Sequence, residues 1–266
     1  MRIFIRMLLF SAFILSIASA PSFADETLND SLLDKQDSAI LLADAENDDY
    51  LDEAEDSGED KELAKISDPL EPVNRVFFHF NDKLYFWVLK PVAKGYSKVV
   101  PEPARISVRN FFNNLTTPVR LVNNILQFKF NSAGTEIKRF GINTTVGVLG
   151  LFDPAKKNLD LKMQDEDLGQ TFGVWWNAGP GFYIVWPILG PSSLRDTVGL
   201  AGDTFLDPVT YVTPFAYDGL AIRSGDKVNR VSLVIGDYEE IKKDAIDPYS
   251  AIKDIYHQYR ESKIDK

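Results

Sequence analysis

Between Val73 and Val88 the chain carries apolar side chains around more of a helix than a single packed stripe can use. Val73, Val76, Phe77, Phe80, Leu84, Trp87 and Val88 recur at helical spacing, and Phe78, Tyr85 and Phe86 widen that face. Arg75, His79, Asp82 and Lys83 mark the other side. A surface this broad calls for cover on two sides, by protein or by lipid. Pro91 is expected to end the helix. Beyond residue 24 no run of 18 consecutive apolar residues occurs, so a membrane-spanning helix is not expected. The long series of alternating strands that a barrel needs is missing as well. A membrane position would lie within one leaflet or depend on a partner.

The chain opens like a secretory signal. Arg2 and Arg6 precede the apolar stretch Met7 to Ala20, and Ser22-Phe23-Ala24 places small residues where a signal peptidase reads them, with cleavage before Asp25. Residues 1–24 are therefore expected to be a cleavable signal peptide. The net charge of −10 is unevenly placed. Asp25 to Asp68 holds 17 acids and 3 lysines, whereas from Pro69 onward 22 acids meet 24 bases. Residues 25–67 read as an acidic, disordered leader, because like charges repel and little there can be buried. Asp44, Glu46, Asp48, Tyr50, Asp52 and Glu55 follow the 1, 3, 5, 7, 9, 12 spacing of a calcium loop. Asp49 stands where that loop needs glycine, so no metal site is expected.

The remainder reads as mainly α, with a helical core at 68–225 and a helical C-terminal segment at 226–266. Units are expected at Pro101–Leu115, from Thr117-Pro118 through Gln127, and from Ser132 to about Asn143. The stretch Thr144 to Pro154 turns on its glycines. Residues 196–225, punctuated by Gly and Pro, read as irregular, and the tail as two helices broken near Asp247-Pro248. An apolar hairpin is expected near residues 173–187. Its arms are Val174-Trp175-Trp176 and Phe182 to Trp186, with Gly179-Pro180-Gly181 as the turn. Both arms are apolar on consecutive residues, so either both faces are buried in protein or one faces lipid.

Catalytic motifs are missing: no G-x-S-x-G, no phosphate loop, no dinucleotide fingerprint and no H-E-x-x-H. His79 reads as a surface residue, Arg195-Asp196 as a local ion pair or cap, and Asp153-Pro154 and Asp207-Pro208 as helix starters. No enzyme activity, cofactor or nucleic-acid partner is expected. With no cysteine in the sequence, neither a disulfide nor a thiolate site can form.

The stretch Asp68-Pro-Leu-Glu-Pro-Val-Asn-Arg75 resembles the opening signature of the MlaA/VacJ family. Further blocks agree in order. They are Lys90 to Ala93, Val100 to Arg105, Asn110 to Leu115, Pro118 to Gln127, Phe140 to Thr144, Gly147 to Ala155, Phe172-Gly173, Pro187 to Asp196, and Asp247-Pro-Tyr249. The resemblance implies a ring-like helical domain embedded in the inner leaflet of the outer membrane. It also implies an amphipathic channel that takes mislocalised phospholipid out of the outer leaflet to a periplasmic lipid carrier, in association with a porin trimer. A flipping lipid needs a polar path for its headgroup and an apolar surface for its tails. Asn74, Arg75, Asn81 and Asp82 are candidates for the first; Trp175, Trp176, Phe182 and Trp186 for the second. For the polar four, an ordinary solvated helix face is the alternative. Familiar members are lipoproteins acylated on a mature N-terminal Cys, which this sequence lacks, so attachment is expected from the apolar belt and porin contacts. Two other readings stand beside the channel: a soluble periplasmic lipid-binding module, and an envelope scaffold using the acidic leader.

Overall fold

The computed structural model describes residues 66–176, 179–213 and 215–264. The signal-like stretch, the acidic run up to residue 65 and the calcium-loop spacing lie outside them. The first helix, α1 (Glu71–Leu84), carries Pro72 in its first turn, where a missing N–H costs nothing, and Glu71 at the positive end of its dipole. It does not stop at Pro91. A π-helical turn, Tyr85–Leu89, leads straight into α2 (Lys90–Val99), with Pro91 in the first turn of α2. The expected helix end is thus corrected, and the reason is geometric. An interior proline lacks a donor and its ring collides with the carbonyl four residues back. The wider turn, closed by the Lys90 N–H on the Tyr85 carbonyl, opens the ladder ahead of that ring.

The extra residue in this turn also resets the helix faces. Asn74, Phe78 and Tyr85 are buried, and a regular helix would bring Val92 and Val99 onto their side two and four turns later. Instead Ala93 and Val100 are buried, at 0% and 6% exposure, while Val92 and Val99 face out at 50% and 82%.

After α2 come α3 (Glu102–Leu115), α4 (Thr117–Leu126), α5 (Phe130–Thr145), α6 (Pro154–Leu159) and α7 (Leu168–Trp176). Strands β1 (Tyr183–Trp186) and β2 (Gly190–Ser193) pair antiparallel, Tyr183 opposite Ser193 and Trp186 opposite Gly190. Then follow α8 (Leu194–Asp203), α9 (Pro208–Val212), α10 (Ala216–Leu233), α11 (Asp237–Asp244) and α12 (Pro248–Ile264). The protein is mainly α, as the sequence led us to expect. Its apolar core is small and aromatic, between α1, β1, α11 and α12: Phe78, Tyr85, Tyr183, Val185, Tyr238, Tyr249, Ile252 and Tyr256. The rings meet edge to face, Tyr85 with Tyr238 at 4.8 Å and Phe78 with Tyr249 at 5.7 Å between centroids.

Three further expectations are corrected. The hairpin lies at 183–193, not 173–187. Val174, Trp175 and Trp176 end α7, whose start is capped by Asp167 accepting from the Gln170 N–H at 2.7 Å. The hairpin turn is Pro187–Leu189, held by Asn81, which accepts from the Ile188 N–H at 2.7 Å and donates to the Trp186 carbonyl at 2.9 Å. Residues 196–225 are largely helical. Gly199 and Gly202 serve packing: a Cβ on Gly199 would lie 2.3 Å from the Gly169 nitrogen, so α7 and α8 approach backbone to backbone. Finally, Ile66 is buried in the core and the Ser67 carbonyl accepts from the Tyr183 N–H at 2.8 Å. Residues 66 and 67 therefore belong to the fold and not to the acidic leader.

Candidate functional site

Burial is inverted over much of the molecule. Among the described residues, buried polar and charged side chains outnumber buried apolar ones. Large apolar side chains stand outside in numbers: Val73, Val76, Phe80, Trp87, Val92 and Val99 form one stripe along α1 and α2, and others project from α5, α8, α9 and α10. Helix α4 shows the inversion most clearly. It buries Arg120, Asn123 and Asn124 and exposes Ile125.

Much of the polar interior is tied together by ion pairs and hydrogen bonds, although Asn124 Oδ1 and Gln127 Oε1 are buried without a hydrogen-bond partner. On one side, Arg120 of α4 bonds Glu136 of α5 through Nε at 2.8 Å, and the other oxygen of Glu136 accepts from the Gln164 N–H at 2.8 Å. Arg139 donates to Asp153 at 2.7 Å, and Asn143 to the other oxygen of Asp153 at 2.8 Å. Between these pairs lies a small polar cleft walled by Asn110, Asn113, Asn114, Thr117, Arg120, Arg139, Asn143 and Asp153. On the other side, Arg260 of α12 reaches Asp167 at the start of α7 at 2.9 Å and Asp196 in α8 at 2.9 and 3.0 Å. Burial pushes the Asp196 carboxyl up, but the Arg260 and Arg195 guanidiniums outweigh it and hold that group far below the ordinary carboxylate range.

Asp203, at the end of α8, bridges these halves. It accepts from Asn123 Nδ2 at 2.8 Å and from the Leu168 N–H at 2.9 Å. Burial, reinforced by the negative charge of Asp167, pushes its pKa up to about 6. The unfolded chain is then the stronger acid at this position. Between about pH 4 and pH 6 the folded state keeps a proton that the unfolded state gives up, so stability falls as pH rises through that window. Asp203→Asn is expected to flatten this fall. The wild-type stability minus that of the variant should drop by about 2 kcal/mol from pH 4 to pH 7, read from denaturant midpoints. A constant difference would mean that Asp203 titrates normally.

The four polar candidates turn out to be joints of the fold. Asn74 is buried, donates to Asp68 at 2.8 Å and to the Tyr183 carbonyl at 3.0 Å, and accepts from the Val185 N–H at 2.9 Å, which locks β1 onto α1. Arg75 grips Asp247 with both terminal nitrogens, at 3.2 and 2.8 Å, with its guanidinium 4.3 Å from the Tyr249 ring centroid. Asn81 holds the hairpin turn, and Asp82 accepts from the Tyr238 hydroxyl at 2.8 Å and from Lys242 at 2.6 Å. Each of the four thus has partners within the fold, unlike an idle solvated face. The apolar candidates do face outward. Trp175, Trp176 and Trp186 are exposed and Phe182 is half-buried. Trp175 donates its indole N–H to the Leu126 carbonyl at 2.7 Å and Trp186 to Thr197 at 3.0 Å, so the polar edge of each ring is satisfied. The interior polar residues were missed. Their one local signal is the spacing Arg120, Asn123, Asn124, Gln127, a polar stripe on an otherwise apolar helix.

Fold and site together define a class: a helical protein with apolar side chains turned outward around a charged, hydrogen-bonded interior. Among the described residues no helix is long and apolar enough to cross a membrane. The model of the MlaA lipoprotein family matches residues 66–263, and the chain belongs to that family. It is 31% identical over 196 residues to the intermembrane phospholipid transport system lipoprotein MlaA of Escherichia coli (strain K12), covering 72% of this chain and 76% of that protein. The protein of the same description in Haemophilus influenzae is 28% identical over 211 residues, covering 77% and 82%. An uncharacterized protein of Rickettsia felis is 33% identical over 201 residues, covering 75% and 79%. A solved chain, from work on the structural basis for maintenance of bacterial outer membrane lipid asymmetry, superposes with a TM-score of 0.66 at 30% identity. The match covers 74% of this chain and 99% of that one.

Proposed function

We propose that this protein removes mislocalised phospholipid from the outer leaflet of the outer membrane and delivers it, through an amphipathic path, to a periplasmic lipid carrier. The inverted burial carries the reading. In water, outward Val, Phe and Trp beside inward Arg, Glu and Asn would waste both kinds of side chain, whereas an acyl-chain environment outside and a hydrated path inside suit both. The relatives named as intermembrane phospholipid transport lipoproteins support the same process. In this reading the polar interior around α4, α5 and α7 serves the headgroup, and Trp175, Trp176 and Trp186 serve the tails. The apolar belt and a porin trimer hold the protein on the periplasmic side of the membrane after export.

The experiment is a complementation. Cells lacking their own transporter of this kind, supplied with the full chain, should recover low outer-leaflet phospholipid, measured with a membrane-impermeant amine label. The protein should also stay in the outer-membrane fraction after an alkaline carbonate wash. Unchanged surface phospholipid would sink the transport reading, and release by carbonate would point instead to a soluble lipid-binding module.

A further inference from the structure

Left-handed backbone favours Gly, Asn and Asp, and a β-branched residue there is a genuine outlier. Among the described non-glycine residues with such backbone, only Asp160 is of the usual kind; the others are Phe128, Val148, Leu149 and Ile188. All four of these are large, apolar and exposed, at 72%, 52%, 61% and 67%. The strain and the exposure thus coincide, in the α4–α5, α5–α6 and β1–β2 turns. Since these side chains point away from the protein, packing within it does not offset the strain.

The α5–α6 turn shows how rigidly this is built. The Leu149 N–H donates to the Thr144 carbonyl at 2.9 Å and the Gly150 N–H to the Asn143 carbonyl at 2.8 Å. Gly150, at φ +90°, is pressed so close that a Cβ would lie 2.3 Å from the Asn114 Cβ. The turn therefore holds Val146, Val148, Leu149 and Phe152 outward in a fixed pose. Its flanks are cationic. Lys138, Lys156 and Lys157 are exposed against one exposed acid, Asp160, while Asp153 is turned inward to Arg139 and Asn143.

We propose that residues 146–152 form an insertion wedge. Val146, Val148, Leu149 and Phe152 enter the acyl-chain layer of a phospholipid leaflet, and Lys156 and Lys157 lie at its phosphates. An apolar tip with a basic collar matches a leaflet with anionic headgroups better than it matches a protein face. The wedge rests on the transport reading only in taking a phospholipid leaflet as its partner.

Because the chain has no cysteine, Leu149→Cys and Lys157→Cys can each carry a single environment-sensitive fluorophore on the full-length protein. With vesicles of phosphatidylethanolamine and phosphatidylglycerol, the dye at 149 should shift to the blue and lose its quenching by iodide. A nitroxide in mid acyl chain should quench it more than a headgroup nitroxide does, and the dye at 157 should show the reverse order. Val148→Asn with Leu149→Asn suits the left-handed backbone, so the melting temperature should hold or rise while vesicle partitioning weakens about tenfold or more. A lower melting temperature with unchanged partitioning would show a merely structural turn and overturn the wedge. Vesicle flotation with the dye at 149 still open to iodide would overturn the wedge and leave the transport reading intact. Shielding that arises only when a purified outer-membrane protein is added would overturn it in favour of a protein partner. Failure to float at all would remove the lipid-phase reading, and the wedge with it.

Discussion

Replacing Arg260 with Met should destabilise the protein by about 3–5 kcal/mol, a large part of what a domain has to lose. Arg260 is 3% exposed and is the cation shared by Asp167 and Asp196, which start α7 and lie in the first turn of α8. Without it the half-buried carboxylates of Asp167 and Asp196 face each other across the joint between α12 and the rest of the fold, with Arg195 still beside Asp196. Lysine should rescue only partly, because one ammonium cannot reproduce the guanidinium's fork to two acids. In the wild type both carboxylates are held below their ordinary range by Arg260, against the upward push of burial. Their contribution is therefore present above the unfolded carboxylate pKa and is lost only as pH falls through the lower folded values. In Arg260→Met the same pair resists ionising, so the gap between wild type and variant should be widest near pH 7 and narrow toward pH 4. Denaturant midpoints across that range read both effects. A midpoint within error of wild type at pH 7 would mean that α12 is held by its tyrosines and not by this cation.

That joint is made by residues far apart in the chain, and distance along the chain decides which parts of the architecture were legible in the sequence. Helix limits follow local chemistry. Pro118, Pro154, Pro208 and Pro248 sit in the first turns of helices, and Asp153 and Asp207 cap two of them with their side chains. The expected Thr117–Gln127 helix accordingly runs Thr117–Leu126, and the expected break at Asp247-Pro248 is where α12 begins. The hairpin register was not legible, because its turn is fixed by Asn81, more than a hundred residues earlier. Gly199 read as a helix breaker because its Cβ-less face matters only once α7 lies against it. The structural partners of the polar candidates were hidden for a related reason. A polar side chain on an apolar helix looks like a ligand group until its long-range partner is known, and Asn74 finds its partners at Asp68, Tyr183 and Val185.

The π-turn makes two deletions in the same helical run behave in opposite ways. Tyr85 and Ala93 share the buried face although eight residues separate them, because the wide turn at 85–89 takes up one. Removing Val88, itself exposed, lets that turn close to ordinary α geometry, with seven residues then spanning the same two turns. Both faces stay in register. The cost falls on Pro91, whose ring would now meet an intact ladder, at about 3 kcal/mol. Adding Pro91→Ala to the deletion should recover most of that loss. Removing His79 is different, although that residue is also exposed. It lies between Phe78 and Tyr85, upstream of the turn, so nothing absorbs the missing residue and the start of α1 rotates by about 100°. Asn74 would then lose its three hydrogen bonds to Asp68 and β1, and Phe78 would leave the aromatic core. The combined loss, on the order of 5 kcal/mol or more, should abolish a cooperative thermal transition. Near-native melting for the Val88 deletion with Pro91→Ala, beside no transition for the His79 deletion, is the expected pair. Equal damage from both would show that the π-turn is only an accommodation of Pro91 and does not set the register that turns one face inward and the other outward.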